Sequence, residues 1–529
     1  MASVIPIFRP WVPEWLIKII LFSVLLPSLV LFFLPLANIQ AAAGFYGSEP
    51  ADMQFAVALF YSGYVGFYSL ERRFFNYLAA KEYFLLFTSL LFISTLACYF
   101  TNELYIFFPI RFIQGILFAC TVNLSLSLIF TRLRSERARE ISFSVFFGML
   151  LCTLPFNYLV TADLIDNYNY NVVYKGALFS YIPCLVLLPL AMNRIRLNVR
   201  FPLHKLDWQS FAIYSCILVL LGYVMIYGQE YYWLGDVRIL FSVIGIALLT
   251  LLTCLRQWAM KRPYIDLHIF RSRNFWVGSF VLFVMYICRF ASGLMNGYFS
   301  SLLGFDPMHI SYINIFNLLG LVTGIILSCC MILQKKRIRA IWVPGFIFLL
   351  AFQIMMFYHF DVQANEYNYF LPLFMQGLGV GMIMVPTIVF TIASVSSTLG
   401  PSAAAICLAV RYLGFCVSIA LINYFELYGK SKHFNTFQEH LSSANPEVLQ
   451  HLQTQSSILQ HKGLDRGKAV KGAYKILTKS VNTQGQLRFA MDYYELMAWL
   501  ILGTLLLIIL FPYLNKTVVY LRSKKLSPA

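Results

Sequence analysis

The sequence has little charge. Of its 529 residues, 12% are Asp, Glu, Lys or Arg and 60% are hydrophobic, whereas a soluble globular protein carries about 25% charged residues. Apolar runs of about 20 residues, the length that crosses a hydrocarbon core, recur along most of the chain. One such run could be a signal peptide, but a series of them predicts a polytopic membrane protein.

Other absences exclude further classes of protein. The eleven cysteines all lie in apolar runs and none forms a CxxC pair, which argues against a disulfide framework or a zinc site. The sequence has no P-loop, no dinucleotide-binding fingerprint and no nucleophile elbow. We therefore expect no metal, no cofactor and no use of ATP by this chain.

The apolar runs predict an all-α integral membrane protein. Lipid cannot satisfy a bare backbone, and the runs lack the alternation that is typical of barrel strands. We predict fourteen spans, at 14–36, 53–70, 83–101, 104–130, 140–161, 171–192, 209–228, 237–257, 275–303, 308–332, 340–361, 367–393, 403–427 and 490–514.

Lys and Arg are concentrated in alternate loops, and this pattern sets the orientation. With fourteen spans, the basic segments all lie on the same side as both termini: 71–82, 131–140, 193–208, 256–274, 335–339 and the tail after 514. The positive-inside rule makes that side the cytoplasm. The net charge of +17 therefore indicates membrane topology, not a nucleic-acid partner. We predict a multi-pass protein of the cell inner (cytoplasmic) membrane.

One long polar segment, 427–489, lies on the opposite side. Asn445, Pro446 and Glu447 form the N-cap, first-position proline and first-turn acid that begin a helix. We expect one helix from 446 to about 460 and a second from about 467 into the last span. The segment is then a helical hairpin outside the membrane, either a docking element for a partner or a solvated extension.

Four short motifs occur in order along the chain. Residues 36–54 link the first two spans through LANIQ and PADMQ, 111–115 read RFIQG, 263–275 contain PYIDL and FRSRNF, and 411–414 read RYLG. Together they resemble the fourteen-helix drug:proton antiporter branch of the major facilitator superfamily. The resemblance implies two six-helix bundles, at 1–208 and 258–529, with two inserted helices at 209–257.

This resemblance also implies a function. The expected activity is secondary active export of amphiphilic or drug-like small molecules by proton antiport, with a midplane binding site and alternating access. In a double-membrane bacterium it implies a periplasmic adaptor protein and an outer-membrane channel as partners, in contact with the hairpin at 427–489. The protein is not expected to be an enzyme.

Two alternatives differ in cargo or in class. Ser28 lies where this branch commonly carries an acid in the first span, which favours export of an endogenous anionic or lipid-like metabolite with non-standard coupling. A membrane-embedded lipid-modifying enzyme would need clustered His, Asp or Glu residues at an interface, and the sequence has no such cluster.

Three arginines lie inside predicted spans, where an ionisable residue costs about 2.5–3.5 kcal/mol and usually faces a cavity or a partner. They are Arg111, Arg289 and Arg411. We expect Arg289, with Arg111, to face a central cavity, where an unpaired guanidinium favours an anionic or strongly hydrogen-bonding substrate. The alternative for Arg111 and Arg411 is structural, as side chains that cap carbonyls or brace neighbouring helices.

The remaining candidates are polar residues near these arginines and acids near the span ends. Gln114 belongs to the RFIQG motif, and Asn296 lies on the same predicted helical face as Arg289, with Gly293 and Ser300. No Asp or Glu lies at comparable depth, so the candidates for proton coupling are the acids at the mouths of the spans. These are Asp52, Glu103 and Asp492.

Overall fold

A computed structural model of the chain describes residues 7–75, 77–132, 138–196, 206–260, 263–441 and 445–511. These residues form α-helices joined by short turns and 3₁₀ segments, which confirms the predicted all-α fold. The helices are α1 Glu14–Phe33, α2 Ile39–Tyr46, α3 Pro50–Phe75, α4 Ala80–Phe100, α5 Leu104–Arg132, α6 Ala138–Asn167, α7 Val172–Ala191, α8 Trp208–Tyr227, α9 Val237–Ala259, α10 Arg273–Phe290, α11 Ser292–Ser301, α12 Pro307–Leu333, α13 Ile338–His359, α14 Tyr367–Ala393, α15 Gly400–His440, α16 Pro446–His461 and α17 Arg466–Leu510.

Thirteen helical segments in the described part of the chain are long and apolar enough to cross a membrane, with α10 and α11 counted as one. They match thirteen of the predicted spans. The remaining prediction, 53–70, falls on α3, a helix of 26 residues that is less apolar because it is rich in Tyr, Ser and Gly. Helix α3 packs against α5, α8 and α15, so its hydroxyl groups face protein.

Several of the predicted basic segments lie partly outside the described residues. These parts are 133–137, 197–205, 261–262 and the tail 512–529. The orientation of the chain in a membrane therefore stays a prediction.

The helices form two groups that meet along α3 and α6. In the first group, α1 packs against α5, α6 and α7, and α4 packs against α7. In the second, α14 packs against α10, α12 and α13, and α17 packs against α13 and α15. Helix α6 contacts α12 and α14, and α3 contacts α15. The division at 1–208, 209–257 and 258–529 remains a proposal.

The pair α8 and α9 lies at the edge of this arrangement. Helix α8 packs against α3 and α15, and α9 packs mainly against α8. Only 6% of the apolar stretch of α9 is buried in the protein. Its outward face is apolar, so this face is suited to contact with lipid.

Close packing of α12 on α14 forms the centre of the second group. Each helix has two glycines four residues apart, Gly320 and Gly324 on α12 and Gly377 and Gly381 on α14. A Cβ on Gly320 would lie 2.2 Å from the Phe374 carbonyl oxygen, and one on Gly377 would lie 2.3 Å from the Asn317 oxygen. Small residues at this spacing let two membrane helices approach backbone to backbone.

The predicted hairpin is present. Helix α16 begins at Pro446, and the Asn445 side chain accepts a hydrogen bond from the Glu447 N–H at 3.1 Å, which confirms the predicted cap. The helix ends at His461 and α17 begins at Arg466, close to the predicted bounds. Helix α15 continues to His440, well beyond the predicted span end at 427, because no proline interrupts that stretch.

Candidate functional site

A small polar cavity lies between α6 of the first group and α10, α11, α12 and α14 of the second. Its volume is about 20 Å³, which is enough for about one water molecule. Six of its lining residues are polar, and the others are aliphatic or small. The lining consists of Leu151, Leu154, Pro155, Arg289, Ser292, Asn296, Asn314, Asn317, Leu321, Gln376, Gly377 and Val380.

Arg289 is the charged residue of this cavity and is 6% exposed. Pro155 has no N–H, so the Leu151 carbonyl one turn earlier lacks its helical donor. Arg289 Nη2 supplies that donor at 3.0 Å. Arg289 Nη1 is buried without a hydrogen-bond partner among the described residues.

Amide side chains surround Arg289 on the second group. Asn317 donates to Gln376 Oε1 at 2.8 Å, and Gln376 donates to the backbone oxygen of Arg289 at 3.3 Å. Asn314 donates to Asn296 Oδ1 at 3.4 Å. Asn296 donates to the Tyr158 hydroxyl of α6 at 2.9 Å, so it joins the two groups of helices.

The predicted polar face of the ninth span is only partly present. Arg289 and Asn296 line the cavity, but Gly293 and Ser300 do not, and Ser292 does. The reason is a break in the helix, because α10 ends at Phe290 and α11 begins at Ser292. The break shifts the phase of the residues that follow.

Arg411 of α15 is 3% exposed and lies on another side of the same interface. Its guanidinium lies over the Phe147 ring of α6, 5.1 Å from the centroid. Tyr61, Tyr64 and Tyr286 lie near it. Its Nε and Nη1 atoms are buried without hydrogen-bond partners in the described part of the chain.

Arg111 does not line the cavity. Its Nη1 donates to the Leu31 carbonyl oxygen and to Gln114 Oε1, and its Nη2 donates to the Phe32 oxygen, each at 2.9 Å. Pro35 has no N–H to offer the Leu31 carbonyl. This geometry is that of the structural alternative, in which the arginine caps carbonyls and joins α5 to the end of α1.

The three predicted acids lie apart from the cavity. Asp52 accepts a hydrogen bond from the Tyr227 hydroxyl at 2.5 Å. Glu103 is exposed just before α5. Asp492 contacts His433 at 2.8 Å and so joins α17 to α15.

Two kinds of candidate were not predicted from the sequence. Asn314, Asn317 and Gln376 are uncharged amides within apolar runs. Their position deep in the predicted spans is the sequence feature that could have identified them as candidates. Glu230 lies in the loop after α8, where partial burial and then the charges of Glu49 and Asp52 raise its pKa to about 7.

Some known proteins are similar to this chain in sequence or in fold. No protein-family model matches the chain. It is similar to the colistin resistance protein EmrB of Acinetobacter baumannii, with 22% identity over 342 residues that cover 63% of this chain and 64% of that protein. The match thus spans slightly less than two thirds of that relative.

Solved structures match over most of the chain. A peptide transporter POT in complex with sulfate has a TM-score of 0.57 at 12% identity and covers 96% of this chain and 98% of that one. A POT family transporter in complex with 5-aminolevulinic acid has a TM-score of 0.58 at 12% identity and covers 94% of this chain and 96% of that one. At this identity the likeness shows the fold, which confirms the predicted major facilitator fold, whereas the fourteen-helix branch stays a prediction. The proteins named here are transporters and a resistance protein, in agreement with the prediction that the chain is not an enzyme.

Proposed function

We propose that this chain, a multi-pass membrane protein with the major facilitator fold, is a secondary active transporter that exports amphiphilic or drug-like compounds by proton antiport. The observation that carries the proposal is the cavity around Arg289. Its lining combines one cation and several amides with aliphatic side chains, as in sites that bury an apolar ligand and orient it through a few polar groups.

The location of the cavity supports alternating access. It is bounded by α6 on one side and by α10, α11, α12 and α14 on the other. Two hydrogen bonds cross that boundary at the cavity, from Arg289 to Leu151 and from Asn296 to Tyr158. Rocking of the two groups would break these bonds and enlarge the cavity enough for a substrate.

Coupling to protons needs a group that titrates near the working pH. Glu230, with a pKa of about 7, meets this condition, and Asp52 lies nearby with the Tyr227 hydroxyl bound to it. We propose that Glu230 takes up the proton at the extracytoplasmic end of the helices. Protonation there removes charge repulsion between neighbouring acids.

The proposed location is the cell inner membrane, with both termini in the cytoplasm and the α15–α17 hairpin outside. The part of α15 from 427 to His440 extends about 20 Å beyond the predicted span end, at 1.5 Å per residue. This extension is suited to contact with a periplasmic adaptor protein and, through it, an outer-membrane channel.

Cysteine labelling in intact cells tests the orientation. Lys468→Cys and Lys335→Cys are each introduced as the single cysteine of an otherwise cysteine-free protein. A thiol reagent that does not cross the membrane should label the cysteine at 468 and leave the one at 335 unlabelled.

The alternative cargo is an endogenous anionic or lipid-like metabolite with non-standard coupling. The observation that favours it is the environment of Arg289 and Arg411. Neither has a carboxylate within ion-pair distance among the described residues.

Proton movement in proteoliposomes tests the transport function. Purified protein is reconstituted with a pH-sensitive dye, candidate amphiphiles are added, and Arg289→Ala is measured beside the wild type. The matched control is Arg194→Ala, since the Arg194 side chain is 79% exposed. Substrate-dependent proton movement in the wild type and the control, lost in Arg289→Ala, is the expected result. Transport without proton movement would exclude antiport.

A further inference from the structure

We propose that Arg289 and Arg411 together form a binding site for the anionic group of the transported compound, a carboxylate, sulfonate or phosphate. The inference rests on the proposed transport function and names the substrate class of the same site. Both side chains are more than nine-tenths buried. Both belong to the second group of helices, on α10 and α15.

Three nitrogens of the two guanidiniums have no acceptor among the described residues. Each guanidinium carries five N–H donors. Arg289 Nη1 and both Nε and Nη1 of Arg411 are buried without an acceptor in the described ranges. A buried cation without a compensating charge is strongly unfavourable, and an oxyanion would supply both the charge and the missing acceptors.

The same turn of α6 lies against both arginines. Phe147 lies under the Arg411 guanidinium, and the Leu151 carbonyl, one turn later, accepts from Arg289. Withdrawal of this turn would uncover both cations at once. The anion would then replace the Leu151 carbonyl and the Phe147 ring as their partners, so binding is coupled to the separation of the helix groups.

Tyr286 connects the two arginines. Its ring centroid lies 5.8 Å from the Arg289 Cζ atom, and the side chain also lies near Arg411. Gly414 makes this possible, since a Cβ there would lie 2.7 Å from the Tyr286 Cβ. The arginine and the glycine of the RYLG motif thus act together, one as the cation and the other as the space for the ring.

Aromatic side chains next to Arg289 define the other part of the ligand. The ring centroids of Phe33 and Phe290 lie 5.9 and 5.3 Å from the Arg289 Cζ atom. These rings would contact an apolar or aromatic body attached to the anion. The site is therefore suited to an amphiphilic anion rather than to an inorganic one.

The arginine that joins Arg289 in this site is Arg411, which differs from the one expected from the sequence. Arg111 was expected to act with Arg289, but its Nη1 and Nη2 atoms are bound to Leu31, Phe32 and Gln114. Its Nε is buried without a partner in the described part of the chain, but both terminal nitrogens are already bound and are not free for a ligand. Arg411, which was a candidate for a purely structural role, retains two free nitrogens.

A matched pair of probes tests the assignment at equilibrium. Naphthalene-2-sulfonate and the neutral naphthalene-2-sulfonamide share an aromatic body and differ in charge. Their binding to the full-length protein in nanodiscs is measured by isothermal titration calorimetry for the wild type, Arg289→Gln, Arg411→Gln and the exposed control Arg194→Gln. We expect the wild type and the control to prefer the sulfonate, and each buried substitution to weaken sulfonate binding by about tenfold or more.

Conservative variants keep the test valid if a glutamine variant fails to fold. Arg289→Lys and Arg411→Lys retain the charge and lose the planar fork, so they should bind sulfonate with intermediate affinity. Size-exclusion profiles and melting temperatures identify variants that are misfolded. Equal affinity for the two probes in the wild type, or unchanged sulfonate affinity in both folded glutamine variants, would overturn the proposal.

This outcome is distinguishable from failure of the proposed function. Proton-coupled transport of the neutral sulfonamide, without any preference for the anion, would retain the transporter and reject the anion site. Sulfonate binding that depends on both arginines, without transport of either probe, would retain the anion site and reject the proposed transport.

Discussion

At the scale of single residues, two buried arginines each bind a carbonyl that a proline leaves without its helical donor. Pro35 and Pro155 each remove the N–H that would bind the carbonyl one turn earlier. Arg111 binds the Leu31 carbonyl, and Arg289 binds that of Leu151. The two differ in their terminal nitrogens, because both of those of Arg111 donate to acceptors and only its Nε is left, whereas Arg289 Nη1 has no partner among the described residues.

Replacing Arg111 with Met should reduce the free energy of unfolding by about 2–4 kcal/mol, because two buried carbonyls lose their donor. Thermal unfolding of the purified protein in detergent measures this loss. The exposed control Arg194→Met should change stability by no more than about 0.5 kcal/mol. Adding Pro35→Ala to Arg111→Met restores an N–H to the Leu31 carbonyl and should recover part of the loss. A fully stable Arg111→Met variant would show that these hydrogen bonds contribute little.

At the scale of helices, the start of α8 is fixed to the end of α9 by a single carboxylate. Asp207 accepts from the Ser210 N–H at 3.2 Å and from Arg256 Nη2 at 2.9 Å, and its side chain is 7% exposed. Burial alone would raise the pKa of Asp207, but these hydrogen bonds and the Arg256 charge hold it below its usual value. The carboxylate therefore joins the two edge helices, α8 and α9.

This pKa shift makes the contact sensitive to acid. Because the folded-state pKa is lower than the unfolded value of about 3.9, the stabilisation is fully present above that value. It is lost as the pH falls through the folded-state pKa. Asp207→Asn should therefore lower the melting temperature at pH 7 and reduce the loss of stability as the pH falls below about 4, with both measured by unfolding scans. An unchanged acid dependence would show that other carboxylates dominate it.

The α12–α14 contact gives a second prediction at this scale. A Cβ at Gly377 would lie 2.3 Å from the Asn317 backbone oxygen, whereas one at Gly293 would have no atom within 4 Å. Gly377→Ala should destabilise the protein by about 1–3 kcal/mol, as overpacking does. Gly293→Ala, the matched control, should be neutral or stabilising by about 0.5–1 kcal/mol. Melting temperatures of the two variants test this contrast, and a similar effect of both would argue against close helix packing.

At the scale of the whole molecule, the sequence predicted the helices better than the site. Hydrophobic runs gave the spans directly, and α3 was predicted although its tyrosines reduce its hydropathy. Arg289 was predicted because a deep charge is rare in a span. Gln376 was not, since an uncharged amide leaves no periodic signal. The contact of Arg411 with Phe147 depends on how two distant groups of helices meet, which no local pattern encodes.

Alternating access predicts that the two groups of helices must separate during transport. Gly148 of α6 faces Ile325 of α12, and a Cβ at 148 would lie 3.4 Å from the Ile325 side chain. We expect a disulfide between Gly148→Cys and Ile325→Cys to abolish transport in proteoliposomes, and dithiothreitol to restore it. The eleven native cysteines must first be replaced so that other disulfides cannot form.

A pair within one group provides the control. A Cβ at Gly176 of α7 would lie 3.6 Å from the Leu164 side chain of α6, and both helices belong to the first group. A disulfide between Gly176→Cys and Leu164→Cys should leave most of the transport intact, because rigid-body rocking keeps this distance constant. Transport that survives the link between α6 and α12 would mean that the cavity opens without separation of these helices. Inhibition by both links would instead indicate that the first group deforms internally during the cycle.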